Sequence, residues 1–128
     1  MNLSWSVWLL PKLDNQLRLK LLIQKFSLFT PGSYFDAHVT LFGRVSTRPE
    51  SFFSFISEEV KYQKIITLNT NSIKKGSPPW KTLYIEFEKN RFLNQLQNKI
   101  TEPLKGTREY VFKPHLSLAY GQAYNEKY

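Results

Sequence analysis

The chain has no cysteine among its 128 residues, which excludes disulfides, zinc-thiolate sites, iron-sulfur clusters and cysteine nucleophiles. It has two histidines, so any imidazole chemistry rests on His38 and His115. Acid is scarce as well: ten Asp and Glu against eighteen Lys and Arg leave a net charge of +8, which favours polyanionic partners such as nucleic acid, nucleotides or acidic membrane surfaces. Long hydrophobic runs are missing. Val7 to Leu10 is stopped by Pro11, far short of the roughly 18 residues a membrane span needs. No basic lead precedes these apolar residues, so a secretory signal is not expected and a reducing, cytoplasmic setting is. Aromatic residues are plentiful at 16%, too many for a disordered chain, and the length suits one domain with one sizeable core.

The apolar pattern gives eight elements in the order β-α-β-α-β-β-α-β. Leu3 to Leu10 reads as a buried strand. From Lys12 to Phe29, Leu13, Leu17, Leu21, Leu22, Phe26 and Phe29 recur at three and four, the buried face of an amphipathic helix ended by Pro31-Gly32. His38 to Val45 alternates as a strand, and Thr47-Arg48-Pro49-Glu50 resembles a capping box opening a short helix through Phe52, Ile56 and Val60. Ile65 to Asn71 is expected as a strand, Ser72 to Trp80 as a loop, and Thr82 to Glu88 as a strand with Leu83, Ile85 and Phe87 on one face. Asn90 can cap a helix carrying Phe92, Leu93, Leu96 and Ile100, which stops before Pro103; a last strand covers His115 to Tyr120. Within this order lies an echo. Leu3 precedes His38 by 35 residues and Thr82 precedes His115 by 33, and each span reads strand, helix, loop, strand. One domain, 1–128, built of two pseudo-repeats of about 1–60 and 61–128, is therefore expected.

Both histidines open the same local phrase, His38-Val39-Thr40-Leu41 and His115-Leu116-Ser117-Leu118. Apolar, then Ser or Thr, then Leu follows a given His on the order of once in two hundred times at average residue usage. In a strand, alternation puts His38 with Thr40 and His115 with Ser117, each pair opposite its apolar neighbours. Two groups that exchange protons near neutral pH then stand with two hydroxyls able to hydrogen-bond an oxyanion. A single strand histidine is more often structural, and it is the repetition that reverses the odds. Metal binding ranks low, because no Asp, Glu or Cys stands at ligand spacing and two ligands rarely hold zinc.

These paired motifs resemble the 2H phosphoesterase superfamily, and in particular its cyclic phosphodiesterase branch. Ser6-Val7-Trp8 with Leu10-Pro11 is similar to the opening strand of the plant and fungal enzymes, and Ala37-His38-Val39-Thr40 to their first signature. Lys113-Pro114-His115-Leu116-Ser117-Leu118 with Tyr120 is similar to the second, and Leu83 to Asn90 to the fungal strand before the third helix. The short middle section, and an end ten residues after Leu118, instead look like the compact 2H domains of viral proteins, some of which cleave 2′,5′-oligoadenylate and blunt RNase L signalling. The resemblance implies an α+β bilobal fold, two pseudo-symmetric half-domains with antiparallel sheets lining a central cleft and helices outside. It implies a metal-independent phosphodiesterase acting on a ribose 2′-phosphoester, with catalytic His38 and His115, and with Thr40 and Ser117 donating to phosphate oxygens. No cofactor is expected.

Among substrates, 2′,5′-oligoadenylate is slightly favoured on length, which would place the domain in a host cytoplasm as part of a larger polypeptide. The alternatives are a 2′,3′-cyclic nucleotide or ADP-ribose 1″,2″-cyclic phosphate. Lys61, Lys64, Lys74, Lys75 and Lys81 occur with no acid between Glu59 and Glu86, so Trp80 and Lys81 are candidate substrate contacts on a basic loop. Tyr120 is a candidate through the resemblance alone, since strict alternation would turn it away from Ser117. Trp8 is expected in the core, with a ligand role as its second reading, and Phe52, Phe53 and Phe55 in core and helix surface. The rival reading is a non-catalytic RNA-binding module, although no Lys/Arg-Gly-Phe/Tyr-x-Phe string is present. A monomer with a nucleotide or oligoribonucleotide partner and no membrane partner is expected, because no helix reads as densely basic on one face.

Overall fold

A computed structural model describes residues 4–27, 35–76 and 83–119. The fold is mixed α+β, and among the described residues three helices and five strands follow in the order expected: β1 (Trp5–Leu9), α1 (Leu13–Ser27), β2 (Val39–Val45), α2 (Glu50–Val60), β3 (Thr70–Lys75), β4 (Leu83–Phe87), α3 (Arg91–Thr101) with a 3-10 turn at Glu102–Leu104, and β5 (His115–Ala119). The strands follow the sheet order β1-β2-β5-β4-β3, and β2–β5, β5–β4 and β4–β3 pair antiparallel. Among the described residues no helix is long and apolar enough to cross a membrane.

The chain divides into two compact units that interleave along the sequence. The first takes in described residues 4–8, 40–68 and 89–113, hence most of β1 and β2 with α2 and α3. One cluster of its core is Phe42, Val45 and Leu104, packed by Trp5, Val7, Phe52 and Tyr110. β1 alternates strictly, so Trp5, Val7 and Leu9 turn inward while Ser6 and Trp8 turn outward. Trp8 is 48% exposed and is not the core residue expected; Trp5 fills that role, its Nε1 donating to the Thr47 carbonyl and its ring tilted against Phe52. α3 buries Leu93, Leu96, Gln97 and Ile100, and the Gln97 amide donates to the Leu41 carbonyl at 3.0 Å, tying the helix to β2. At its start Asn90 is the cap the sequence indicates, accepting from the Leu93 amide at 3.0 Å. The capping box at Thr47 does not form. α2 begins after Pro49, which is already helical, and no side chain caps it; the Pro49 carbonyl accepts from the amides of Phe52 and Phe53.

The second unit takes in described residues 9–27, 35–39, 69–76, 83–88 and 114–119, hence α1 with β3, β4 and β5. Leu83, Ile85, Leu116 and Leu118 are buried on its strands, and Ile23 is the buried residue of α1, flanked by half-buried Leu19, Leu22 and Phe26. Leu13, Leu17 and Leu21 are exposed, which corrects the expected buried face: α1 is apolar on two sides, and it is the Ile23 side that packs. β3 also departs from expectation. It begins at Thr70, not Ile65, and Ser72 to Lys75 are strand where a loop is expected. Its residues are nearly all exposed, so this edge strand shows no apolar alternation, and pairing with β4 fixes it instead. Each unit thus draws its main strands from one half of the chain and a helix from the other half, α3 with β1 and β2, α1 with β4 and β5.

Candidate active site

Two register points build the site. Val39 of β2 pairs with Leu116 of β5, so the phrases beginning at His38 and His115 run side by side and antiparallel. In such a pair His38 falls opposite Ser117, one step to either side of Val39 and Leu116. Both side chains are buried, at 8% and 4% exposure, while Val39 and Leu116 turn to the other face. Thr40 follows Val39 on the same strand and stands on the His38 side of it, half-buried.

His38 is fixed by its own approach to the strand. Its Nδ1 lies 2.7 Å from the Asp36 carbonyl oxygen. A carbonyl only accepts, so Nδ1 carries the hydrogen, and in the neutral ring Nε2 is the unprotonated nitrogen. Burial pushes the imidazole below its ordinary 6.5; the bond to the Asp36 carbonyl and the Asp36 charge oppose that shift without reversing it. The more buried of the two histidines is thereby kept neutral at neutral pH.

His115 is set from the other side of β5. Across the β4–β5 pair, Glu86 faces His115 and Tyr84 faces Ser117, which places all four on one face of the sheet. The Tyr84 ring meets the His115 imidazole edge-on, centroids 5.6 Å apart at 75°. One strand further, Ser72 faces Glu86 and Lys74 faces Tyr84, and the Lys74 ammonium pairs with the Glu86 carboxylate at 3.1 Å. Asn71 donates to the same carboxylate oxygen at 3.3 Å. Tyr84 and Glu86 are site neighbours that the sequence reading missed, while Lys74, expected on a basic loop, joins them from β3. Their signal was the alternation of Leu83, Ile85 and Phe87, which obliges Tyr84 and Glu86 to share the opposite face; what it lacked was the register to Ser117.

Between Leu83–Ala119 and Tyr84–Ser117 the ladder shifts, leaving Leu118 as an extra residue on β5. Strict alternation therefore fails between Ser117 and Ala119. Tyr120, Trp80 and Lys81 themselves lie outside the described residues. Lys74 and Lys75 belong to β3 and not to a loop, and Lys61 and Lys64 lie exposed after α2. Among the described residues no group of three or more His, Cys, Asp or Glu stands where it could hold a metal ion.

A search of the curated proteins finds no match. Comparison with protein-family models matches residues 1–127 to the family described as cyclic phosphodiesterase-like protein. That span takes in both histidine phrases and every element between them, and a phosphodiesterase of cyclic phosphates is the activity such a family supports. The chain belongs to the cyclic phosphodiesterase-like family, as its resemblance to the 2H phosphoesterases implied.

Proposed function

We propose that the protein hydrolyses a ribose cyclic phosphate, a 2′,3′-cyclic nucleotide or an ADP-ribose 1″,2″-cyclic phosphate, without a metal. The observation that carries the reading is the pairing of the two histidine strands through Val39 and Leu116, supported by a family match over nearly the whole chain. Water attacks phosphorus as one imidazole takes its proton; the bond from phosphorus to one ribose oxygen breaks, and the other imidazole, charged at the outset, protonates that oxygen. The product is a phosphomonoester with a free ribose hydroxyl, and the next turnover starts after proton exchange with solvent. Ser117 and Thr40 donate hydrogen bonds to the non-bridging oxygens, whose charge grows in the transition state. At His38 the proton moves at Nε2, because Nδ1 is committed to Asp36.

The family match moves the weight from 2′,5′-oligoadenylate to the cyclic phosphate. Both substrates present a ribose oxygen on phosphorus to the same pair of imidazoles, so the two are separated by turnover and not by site geometry. The test compares hydrolysis of 2′,3′-cyclic nucleotides, ADP-ribose 1″,2″-cyclic phosphate, 2′,5′-oligoadenylate and 3′,5′-oligoadenylate by wild type, His38→Ala and His115→Ala. Turnover of a cyclic phosphate in the presence of EDTA, lost by at least about a thousandfold in both variants, is the expected result. Binding of oligoribonucleotide with no turnover of any 2′-phosphoester by wild type would leave the RNA-binding module in its place.

A further inference from the structure

The outward side of α1 is a feature that phosphodiester chemistry does not use. Leu13, Leu17 and Leu21 are 80%, 62% and 59% exposed, and Leu10, just before the helix, is 56% exposed. At about 100° per residue the three helical leucines fall within an arc of roughly 80°, opposite the Ile23 side that packs inward. Lys20 borders this stripe on one flank and Arg18 and Lys25 on the other, where Asp14, the one acid of the helix, also stands; the three cations are exposed. A row of exposed leucines with cations on both flanks calls for an occupant that is apolar inside and anionic outside.

We propose that α1 docks on an anionic phospholipid surface, with Leu13, Leu17 and Leu21 inserted among the upper acyl chains and Arg18, Lys20 and Lys25 at the headgroups. Charge argues against a second copy of this chain, because a two-fold contact through the stripe would bring its cations against their own kind. The spacing argues against a helical protein partner. A packed helix seam needs apolar residues at the positions of Leu13, Leu17, Lys20 and Gln24, and the latter two are polar. A bilayer imposes no such seam; it needs only a shallow apolar arc, and the long stems of Lys and Arg reach past it to the phosphates. The expectation of no membrane partner rested on the absence of a densely basic helix face; the exposed leucines of α1 supply the apolar half of such a surface, with cations at its flanks. This surface is independent of the phosphodiesterase reading.

The test is co-sedimentation of the full chain with phosphatidylcholine vesicles, with and without phosphatidylserine, at physiological salt. Binding is expected only where phosphatidylserine is present. The charge-neutral pair Leu17→Gln/Leu21→Gln should lower it at least about tenfold with an unchanged far-ultraviolet circular dichroism spectrum. Arg18→Gln/Lys20→Gln should lower it by about fivefold per cation removed, and more than Lys61→Gln/Lys64→Gln, which removes equal charge elsewhere. Should the leucine pair disturb folding, Leu13→Trp keeps the stripe apolar, and its emission should shift to the blue on phosphatidylserine vesicles relative to wild type. The proposal is overturned by no binding, by equal binding of the leucine variant, by no blue shift, or by self-association of wild type through the stripe.

Discussion

His38 carries two opposed influences, burial that favours its neutral ring and an Asp36 backbone acceptor that favours its Nδ1–H, and burial is the larger. Because its folded-state pKa lies below 6.5, the unfolded chain takes up this proton first as pH falls. The contribution of neutral His38 to stability is therefore whole above the unfolded value and diminishes as pH drops from about 6.5 through the lowered folded value. Thermal midpoints measured between pH 7.5 and 5 should fall, and His38→Asn should flatten that fall before the carboxylates begin to titrate near pH 4. The same shift enters catalysis. The pH profile of kcat/KM should be bell-shaped with one inflection below 6.5, since one imidazole must be neutral and the other charged; a flat profile across pH 5 to 8 with chemistry rate-limiting would remove the two-histidine reading. Tyr84 acts one step away, its ring edge holding the His115 imidazole. We expect Tyr84→Ala to lower kcat by about threefold to tenfold, the worth of an aromatic edge contact, with KM little changed, and Tyr84→Phe to restore it. Failure of the Phe variant to rescue would show that the hydroxyl, not the ring, carries the effect.

At the scale of elements, the caps separate what a local pattern can and cannot say. Asn90→Ala should cost about 1 kcal/mol in chemical denaturation, because the side chain both accepts from Leu93 and donates to the Thr67 carbonyl at 3.0 Å. Thr47→Ala should cost less than about 0.5 kcal/mol, because the box it would have formed is absent and its carbonyl, which Ala keeps, is what Trp5 uses. Both positions look like caps in sequence; Pro49 decided the second by starting the helix itself. The strands divide in the same way. β1, β2, β4 and β5 are legible because each has one face that must be buried, and the twin phrases at His38 and His115 are legible because they repeat. β3 is not, since an exposed edge strand of Thr-Asn-Ser-Ile-Lys-Lys is held by its neighbour and carries no pattern of its own. Nor could α1 be oriented from spacing alone: two apolar sides satisfy the same periodicity, and only packing against β5 chooses between them. Tyr84 and the bulge at Leu118 are properties of a register between distant segments, which no window of the sequence contains.

Across the whole molecule, eighteen cations face ten acids, so even complete pairing leaves eight positive charges uncompensated. Ion pairs such as Lys74–Glu86, Lys99–Glu59 and Lys105–Glu102 are partly exposed and add little to stability. The excess charge bears on what approaches the protein, and its effect separates the two functional readings. A basic surface that tracks an oligoribonucleotide contacts several phosphates, and its affinity falls with salt by about 0.7 in log K per phosphate for each decade of salt. A site built around paired histidines engages one phosphodiester. Steering by the net charge still raises the encounter rate of an anionic substrate, but only over the range that salt leaves unscreened, about 10 Å at 0.1 M. For a cyclic nucleotide, kcat/KM plotted against salt on logarithmic axes should therefore fall with a slope no steeper than about −1, carried mostly by KM, while kcat stays level. A slope of about −2 or beyond, or a kcat that falls with it, would mean that several surface cations hold the substrate and that the paired strands are not the principal contact.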